Sequence, residues 1–183
     1  GLGVWITATI NKDGDVLATS ELFVVAPPKW KLCIAFAPVK GEKPELIVQK
    51  LTELGIDEII PLAPTSRSVV RWDAAKAEKQ TSRLQRVANE ASMQSRRVWL
   101  PVVHPVTQLA DLVSRSEVAF AEPGGAEVAS VHRTIVVGPE GGFAPEELNG
   151  SVSRVSLGES VLRAETAAIV AGALMTRCRR GEM

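Results

Sequence analysis

Ile135-Val136-Val137-Gly138-Pro139-Glu140-Gly141-Gly142-Phe143 decides how this chain is read. An apolar run suited to a strand buried on both faces passes straight into a glycine-rich turn, and Pro145-Glu146-Glu147 then opens a short helix. Ligands of open α/β sheets sit at the carboxyl ends of strands, and glycines there let a ligand come close to the backbone. Glu140 adds a carboxylate at the same mouth. No Lys-Ser/Thr follows, so this is not a phosphate-cradling Walker loop, and it is not a GxGxxG fingerprint either. By itself the stretch is equally compatible with a plain tight turn. A second loop of the same strand-to-helix type runs from Ser156 through Leu157, Gly158, Glu159, Ser160, Val161 and Leu162 to Arg163, Ala164, Glu165 and Thr166. Two such loops can line one pocket. Arg163 and Glu165 flank the expected helix start, where Glu165 also suits the positive end of a helix dipole.

Outward from these loops the pattern alternates. Leu32–Ala37 is a continuous apolar run that predicts a buried strand, and Pro44 opens a helix carrying Leu46, Ile47, Leu51 and Leu54 at helical spacing, with Gly55 to cap it. A strand over Ile56–Leu62 and a long helix from Ala74 to about Arg96 come next. Further strands are expected at Val98–Val103, Val118–Ala121, Thr134–Val137 and Val152–Leu157, short helices near Leu109–Val113 and Pro145–Leu148, and a last helix over Ala164–Arg177. Alternating strands and helices predict an α/β fold with a mainly parallel sheet. Ahead of Ala26-Pro27-Pro28, the stretch from Trp5 to Thr19 reads as a β-hairpin turning at Asn11–Asp15.

Composition narrows the function. A chain of 183 residues with 45% hydrophobic and 23% charged residues and a mean hydropathy of +0.10 is expected to fold as a globular protein, not to stay disordered. It holds no apolar run near the roughly 18 residues that span a bilayer, so a soluble, cytoplasmic protein with no membrane partner is expected. Cys33 and Cys178 are far apart and read as buried thiols, and with His104 and His132 isolated no metal site is expected. No GxSxG elbow surrounds Ser66, Ser68 or Ser95, which disfavours a serine hydrolase. Net charge is zero but segregated: residues 29–97 hold thirteen Lys/Arg against eight Asp/Glu, and residues 98–162 hold three against eight. Lys40, Lys43, Lys50, Arg67, Arg71, Arg83, Arg86, Arg96 and Arg97 are the candidate phosphate contacts, against the plainer reading of a solvated surface.

Four separated motifs now stand in register: Lys50-Leu51-Thr52-Glu53-Leu54-Gly55, Gln94-Ser95-Arg96-Arg97, the 137–143 loop, and Leu157-Gly158 through Val161-Leu162-Arg163-Ala164-Glu165-Thr166-Ala167. Over about residues 29 to 178 the chain resembles the RsmE-type ribosomal RNA uridine N3-methyltransferases of the SPOUT superfamily. The resemblance implies a domain over 28–183 with a C-terminal trefoil knot, preceded at 1–27 by the remnant of a β-rich PUA-like RNA-binding domain. It also implies a homodimer whose interface helps form the active site, S-adenosylmethionine as cofactor, and methylation of N3 of a specific uridine in the 16S RNA of the small ribosomal subunit. Carried over by position, Val137, Gly138, Pro139, Glu140, Gly141, Gly142, Leu157, Gly158, Val161 and Leu162 would hold the cofactor, with Thr166 and Ala167 closing the pocket. Arg163 is the candidate stabiliser of negative charge and Glu165 the candidate proton acceptor. Lys40, Lys43, Lys50, Arg67, Gln94 and Arg97 would face RNA. Ser160 stands where many members carry arginine. The alternative is a SPOUT-fold RNA-binding dimer that acts on another RNA or lacks turnover.

Overall fold

A computed structural model of the chain describes residues 2–148 and 152–181; residues 1, 149–151 and 182–183, which belong to the units expected at 1–27 and 28–183, lie outside the described residues. Four short strands come first. β1 (Val4–Trp5) pairs antiparallel with β4 (Phe23–Val24), and β2 (Ala8–Ile10) with β3 (Val16–Ala18). The expected turn is present: the Asn11 side chain accepts from the Asp13 and Asp15 N–H groups, and Gly14 N–H donates to Asn11 O. Trp5 leaves the hairpin and stacks on Phe23 with ring centroids 4.2 Å apart.

Six strands form a single parallel sheet in the order β10-β8-β9-β5-β6-β7. These are β5 (Cys33–Phe36), β6 (Glu58–Pro61), β7 (Val102–Val103), β8 (Val118–Ala126), β9 (Thr134–Val137) and β10 (Ser153–Val155). The two central strands, β5 and β9, are buried at every position, as continuous apolar runs should be when both faces are covered. Ile34, Ile59 and Ile135 expose nothing, and burial of each contributes about 1.5–3 kcal/mol. The carboxyl ends of all six strands open on the same edge of the sheet.

Among the described residues four α-helices complete the domain: α1 (Lys43–Leu54), α2 (Ala74–Gln94), the short α3 (Ala110–Val113) and α4 (Ala164–Arg180). Helix α1 carries Pro44 in its first turn and stops at Gly55, whose left-handed φ of 96° lets its N–H reach back to Thr52 O while Ile56 N–H reaches Leu51 O. Asp73 caps α2 by accepting from Lys76 N–H at 2.8 Å. Helices α1 and α4 pack so closely that a Cβ on Gly172 would lie 2.7 Å from Leu51 Cδ2. The far end of α4 is tied to the amino-terminal edge of the sheet. There the Asp57 carboxylate accepts from Leu32 N–H, Arg97 Nη2 and Arg179 Nη1. Arg97 also donates to Ile56 O, and Arg179 to Gly55 O.

Three boundaries differ from expectation for physical reasons. The strand expected over 98–103 is reduced to Val102–Val103, because Trp99 bridges to Leu2 and its indole N–H donates to Val25 O at 3.1 Å. That segment pins the N-terminal strands instead of extending the ladder. β8 runs past Ala121 to Ala126, where a Cβ on Gly125 would meet Val155 N at 2.6 Å, so glycine lets β10 approach. α4 continues to Arg180 and ends on Gly181. Both cysteines are buried; the Cys178 thiol donates to Val128 O at 3.4 Å, and burial pushes the Cys33 thiol up to about 12.

Candidate active site

The three strands β8, β9 and β10 deliver their carboxyl-end segments to one cavity of about 390 Å³. Its walls are Ala121–Pro123 from β8, residues 137–143 beyond β9, residues 156–162 (without Glu159) beyond β10, and Ala164 and Ala167 from the first turns of α4. The volume falls in the range of small-molecule sites, roughly 300–1,000 Å³, and apolar Val137, Leu157 and Leu162 share its walls with glycines and the polar Glu122, Glu140, Ser156 and Ser160.

The 138–144 loop owes its shape to its own residues. Gly142 N–H closes a tight turn on Pro139 O at 2.8 Å, with Gly142 at a φ of +67° that favours glycine. Phe143 then folds back and is buried edge-on against Phe120, centroids 5.6 Å apart. Its ring comes so near the strand end that a Cβ on Gly138 would sit 2.9 Å from Phe143 Cε2. From outside, the loop is clasped by the segment after β6. Arg67 Nη1 donates to Gly141 O at 3.0 Å and to Phe143 O at 3.3 Å. Glu147 returns the grip, accepting from Ser66 N–H at 2.6 Å and from Ala144 N–H at 2.8 Å. The second bond is half of a capping box on the 3-10 turn Pro145–Leu148. Partial burial pushes the Glu147 carboxyl up, but these N–H donors and the Arg67 charge outweigh it and hold it below its ordinary value.

Eleven of the twelve residues expected to hold a cofactor line the cavity: 137–142, Leu157, Gly158, Val161, Leu162 and Ala167. Thr166 does not. One residue from Ala167, it is rotated about 100° around the helix and is exposed. Arg163 is the exposed N-cap of α4 between two lining residues; its carbonyl accepts from Ala167 N–H at 2.8 Å, and among the described residues its guanidinium makes no hydrogen bond or ion pair. Glu165 turns to α1, pairing with Lys43 at 2.8 Å, and the Lys43 hydrogen bond holds its carboxyl below the ordinary range. Its other oxygen, Oε2, is buried and without a partner.

The expected RNA contacts divide. Lys40, Lys43 and Arg67 follow the ends of β5 and β6 and lie on the cavity's edge of the sheet. Gln94, at the far end of α2, and Arg97 lie at the opposite edge, and Lys50 is paired with Glu53 at 2.8 Å. Arg97 must be reassigned: its side chain is 13% exposed and its guanidinium is bound to Asp57, Thr52 O and Ile56 O, so its charge serves the interior. Sequence reading missed Glu122 and Pro123 in the cavity wall and Glu147 in the clasp. Glu122-Pro123-Gly124-Gly125 follows an apolar run much as 139–142 does, and that was the available signal. Among the described residues no three His, Cys, Asp or Glu side chains gather into a metal site, and no helix is long and apolar enough to cross a membrane.

Residues 26–176 match the family described as the RNA methyltransferase domain. The chain belongs to that family. Ribosomal RNA small subunit methyltransferase E from Mycobacterium bovis is 34% identical to it over 168 residues, covering 80% of this chain and 63% of that protein. The protein of the same name from Bacillus subtilis is 36% identical over 163 residues, covering 77% and 63%. The chain thus spans somewhat under two thirds of the length of these curated relatives. Among solved structures, ribosomal RNA small subunit methyltransferase E from Neisseria gonorrhoeae bound to S-adenosyl methionine superposes with a TM-score of 0.75 at 26% identity, covering 97% of this chain and 80% of that one. As a member of the RNA methyltransferase family, the chain carries its glycine loops at the position where that fold opens a cavity.

Proposed function

We propose that this chain is the SPOUT catalytic domain of a methyltransferase that uses S-adenosylmethionine to methylate N3 of a specific uridine in 16S ribosomal RNA. The observation that carries this reading is the 390 Å³ cavity formed by the two glycine loops and the start of α4. Its residues suit the cofactor: apolar walls for an adenine, glycine loops that let the main chain approach the ribose and amino acid, and the Glu140 carboxylate beside a ligand that carries positive charge, while Glu122 is paired with Arg154 at 2.7 Å. When bound, the cofactor supplies an activated methyl group on a sulfonium sulfur.

The chain's own part is alignment, charge and proton management. Uridine N3 must lose a proton, and negative charge spreads to its flanking carbonyl oxygens. Arg163, unpaired and next to the cavity, stabilises that charge. Glu165, kept ionised by Lys43 and next in sequence to Ala164 of the cavity wall, is the proposed acceptor of the proton. The trefoil knot is supported by the strand order: β9 lies between β5 and β8, and after edge strand β10 the chain returns to pack α4 on α1, β5 and β9. A homodimer is supported by Val161, 85% exposed beside the cavity, and by the half-buried apolar residues Ile169, Val170 and Leu174 on α4. The start of the family match at residue 26 supports a boundary near 27, with residues 1–27 as the end of a PUA-like unit. The cytoplasm, where the small subunit is found, is the compartment that fits.

Calorimetric titration with S-adenosylmethionine, with ATP and NAD as controls, tests the pocket first. One site per chain for the methyl donor and none for the controls is expected. Transfer of labelled methyl from the donor to 16S RNA, mapped to one uridine, tests the reaction. No donor binding by folded protein overturns the proposal, and donor binding without transfer to any RNA leaves an RNA-binding dimer that lacks turnover.

A further inference from the structure

A second cavity, of about 240 Å³, lies on the same sheet edge as the first, between the segments that follow β5 and β6 and the start of α2. Trp72 and Val70 form one wall, Val39 and Lys40 another, and Lys76 and Gln80 of α2 close it. Its charges are unspent. Lys31, Lys43 and Lys50 are each paired with a carboxylate, whereas the Lys40 and Lys76 side chains make no ion pair or hydrogen bond among the described residues. The nearby Asp73 carboxylate is occupied in capping α2, and Glu42 is exposed at the start of α1. Trp72 is half-buried and packs on the core, and its indole N–H has no partner among the described residues.

From this cavity a groove continues along α2 past Lys76, Lys79, Arg83 and Arg86. These recur at intervals of three and four residues and so share one helix face. Arg83 is partly neutralised by Glu45 at 2.9 Å, and Glu78 lies in the same groove, but the basic side chains outnumber it. The two cavities are close. β6 and β9 are separated only by β5, a span of about 10 Å at the usual strand spacing, and the Arg67–Gly141 clasp joins their loops.

An aromatic side chain and two unpaired ammonium groups around one cavity, continued by a basic track, suit a single nucleic-acid strand, which offers bases for stacking and phosphates for cations. We propose that the cavity of Lys40, Trp72 and Lys76 is a subsite for a nucleotide flanking the modified uridine in single-stranded RNA, with the α2 face taking the next phosphates. This rests on the methyltransferase reading above and names how its substrate is gripped. Residues 71–76, Arg-Trp-Asp-Ala-Ala-Lys, hold the pattern in sequence, but only the fold brings Lys40 opposite.

The test is equilibrium binding of a labelled ten-nucleotide single-stranded oligouridylate to the whole chain, by fluorescence anisotropy, across a range of salt. The Lys40→Ala/Lys76→Ala double variant is expected to bind about tenfold more weakly, with the log–log salt slope shallower by about 1.4 for two lost phosphate contacts. Trp72→Leu is expected to lose roughly five- to hundredfold with an unchanged slope. Lys31→Ala, at the opposite edge of the sheet where its side chain pairs with Glu58, is expected to bind as the unaltered chain does. Calorimetric affinity for S-adenosylmethionine should be the same in all, which separates this subsite from the donor pocket. If the double variant keeps both affinity and slope, the subsite is wrong even where the donor still binds. No binding of the oligonucleotide by the unaltered chain also overturns it. Trp72 contributes to the core, so the two surface lysines decide the matter if Trp72→Leu fails to fold.

Discussion

Replacing Gly138 by alanine tests the packing account of the cavity most directly. The φ of Gly138 is not in the left-handed region, so the whole cost arises from the added methyl group. That carbon would lie 2.9 Å from Phe143 Cε2 and 3.2 Å from both Cδ2 and Cζ, where carbon atoms settle at about 3.5–4.0 Å. The ring must therefore retreat by about 0.6 Å or more. It cannot retreat freely, being 6% exposed and edge-on to Phe120. Overpacking of this kind costs about 1–3 kcal/mol, and at about 2–4 °C per kcal/mol for a chain of this size the Tm should fall by roughly 2–12 °C. Because the ring and the 138–143 main chain are also cavity wall, donor affinity should fall with it, by tenfold or more. Differential scanning calorimetry and titration calorimetry read the two effects. In a Phe143→Leu background the same alanine should cost under half as much, since the interacting ring is gone. A Gly138→Ala protein with unchanged Tm and donor affinity, or equal costs in both backgrounds, would falsify this account.

Arg163→Ala should lower methyl transfer to RNA by at least a hundredfold while donor affinity stays unchanged; equal turnover removes Arg163 from the chemistry. Asp57→Ala should cost about 3–5 kcal/mol in urea unfolding, because it strands two partly buried guanidinium groups and the Leu32 N–H; Arg97→Ala should likewise destabilise yet leave the salt slope of RNA binding as it was. Glu147 and Glu165 have folded-state values below their ordinary 4.5. The unfolded chain therefore binds their protons more readily, so their stabilisation is fully present above about pH 5 and is lost as pH falls through the folded values. Tm measured from pH 3 to 7 should show that loss, and Glu147→Gln should flatten it.

Much of this architecture was legible because period and punctuation are local. Leu32–Ala37 and Thr134–Val137 advertise burial on both faces, and Pro44 and Gly55 mark the ends of α1. Strand neighbours were not legible, since nothing in either segment says that β9 sits between β5 and β8. The charges around residue 97 misled for a related reason. Arginine reads as a surface cation until a buried carboxylate forty residues away claims it, and Asp57 looks ordinary between two isoleucines and a glutamate. Thr166 lies one helical step from Ala167 and off the cavity wall, a distinction that a motif spelled in single letters does not carry.

Helix α4 has one end in the cavity wall at Ala164 and the other held by Asp57 through Arg179, across a rod of about 24 Å. Geometry alone makes the far end matter: a tilt of about 5° pivoting at the Asp57 end would displace the cavity wall by about 2 Å. Substitutions at the remote fulcrum should register as changes in ligand grip, so a screen confined to residues touching the ligand would miss part of what sets its fit.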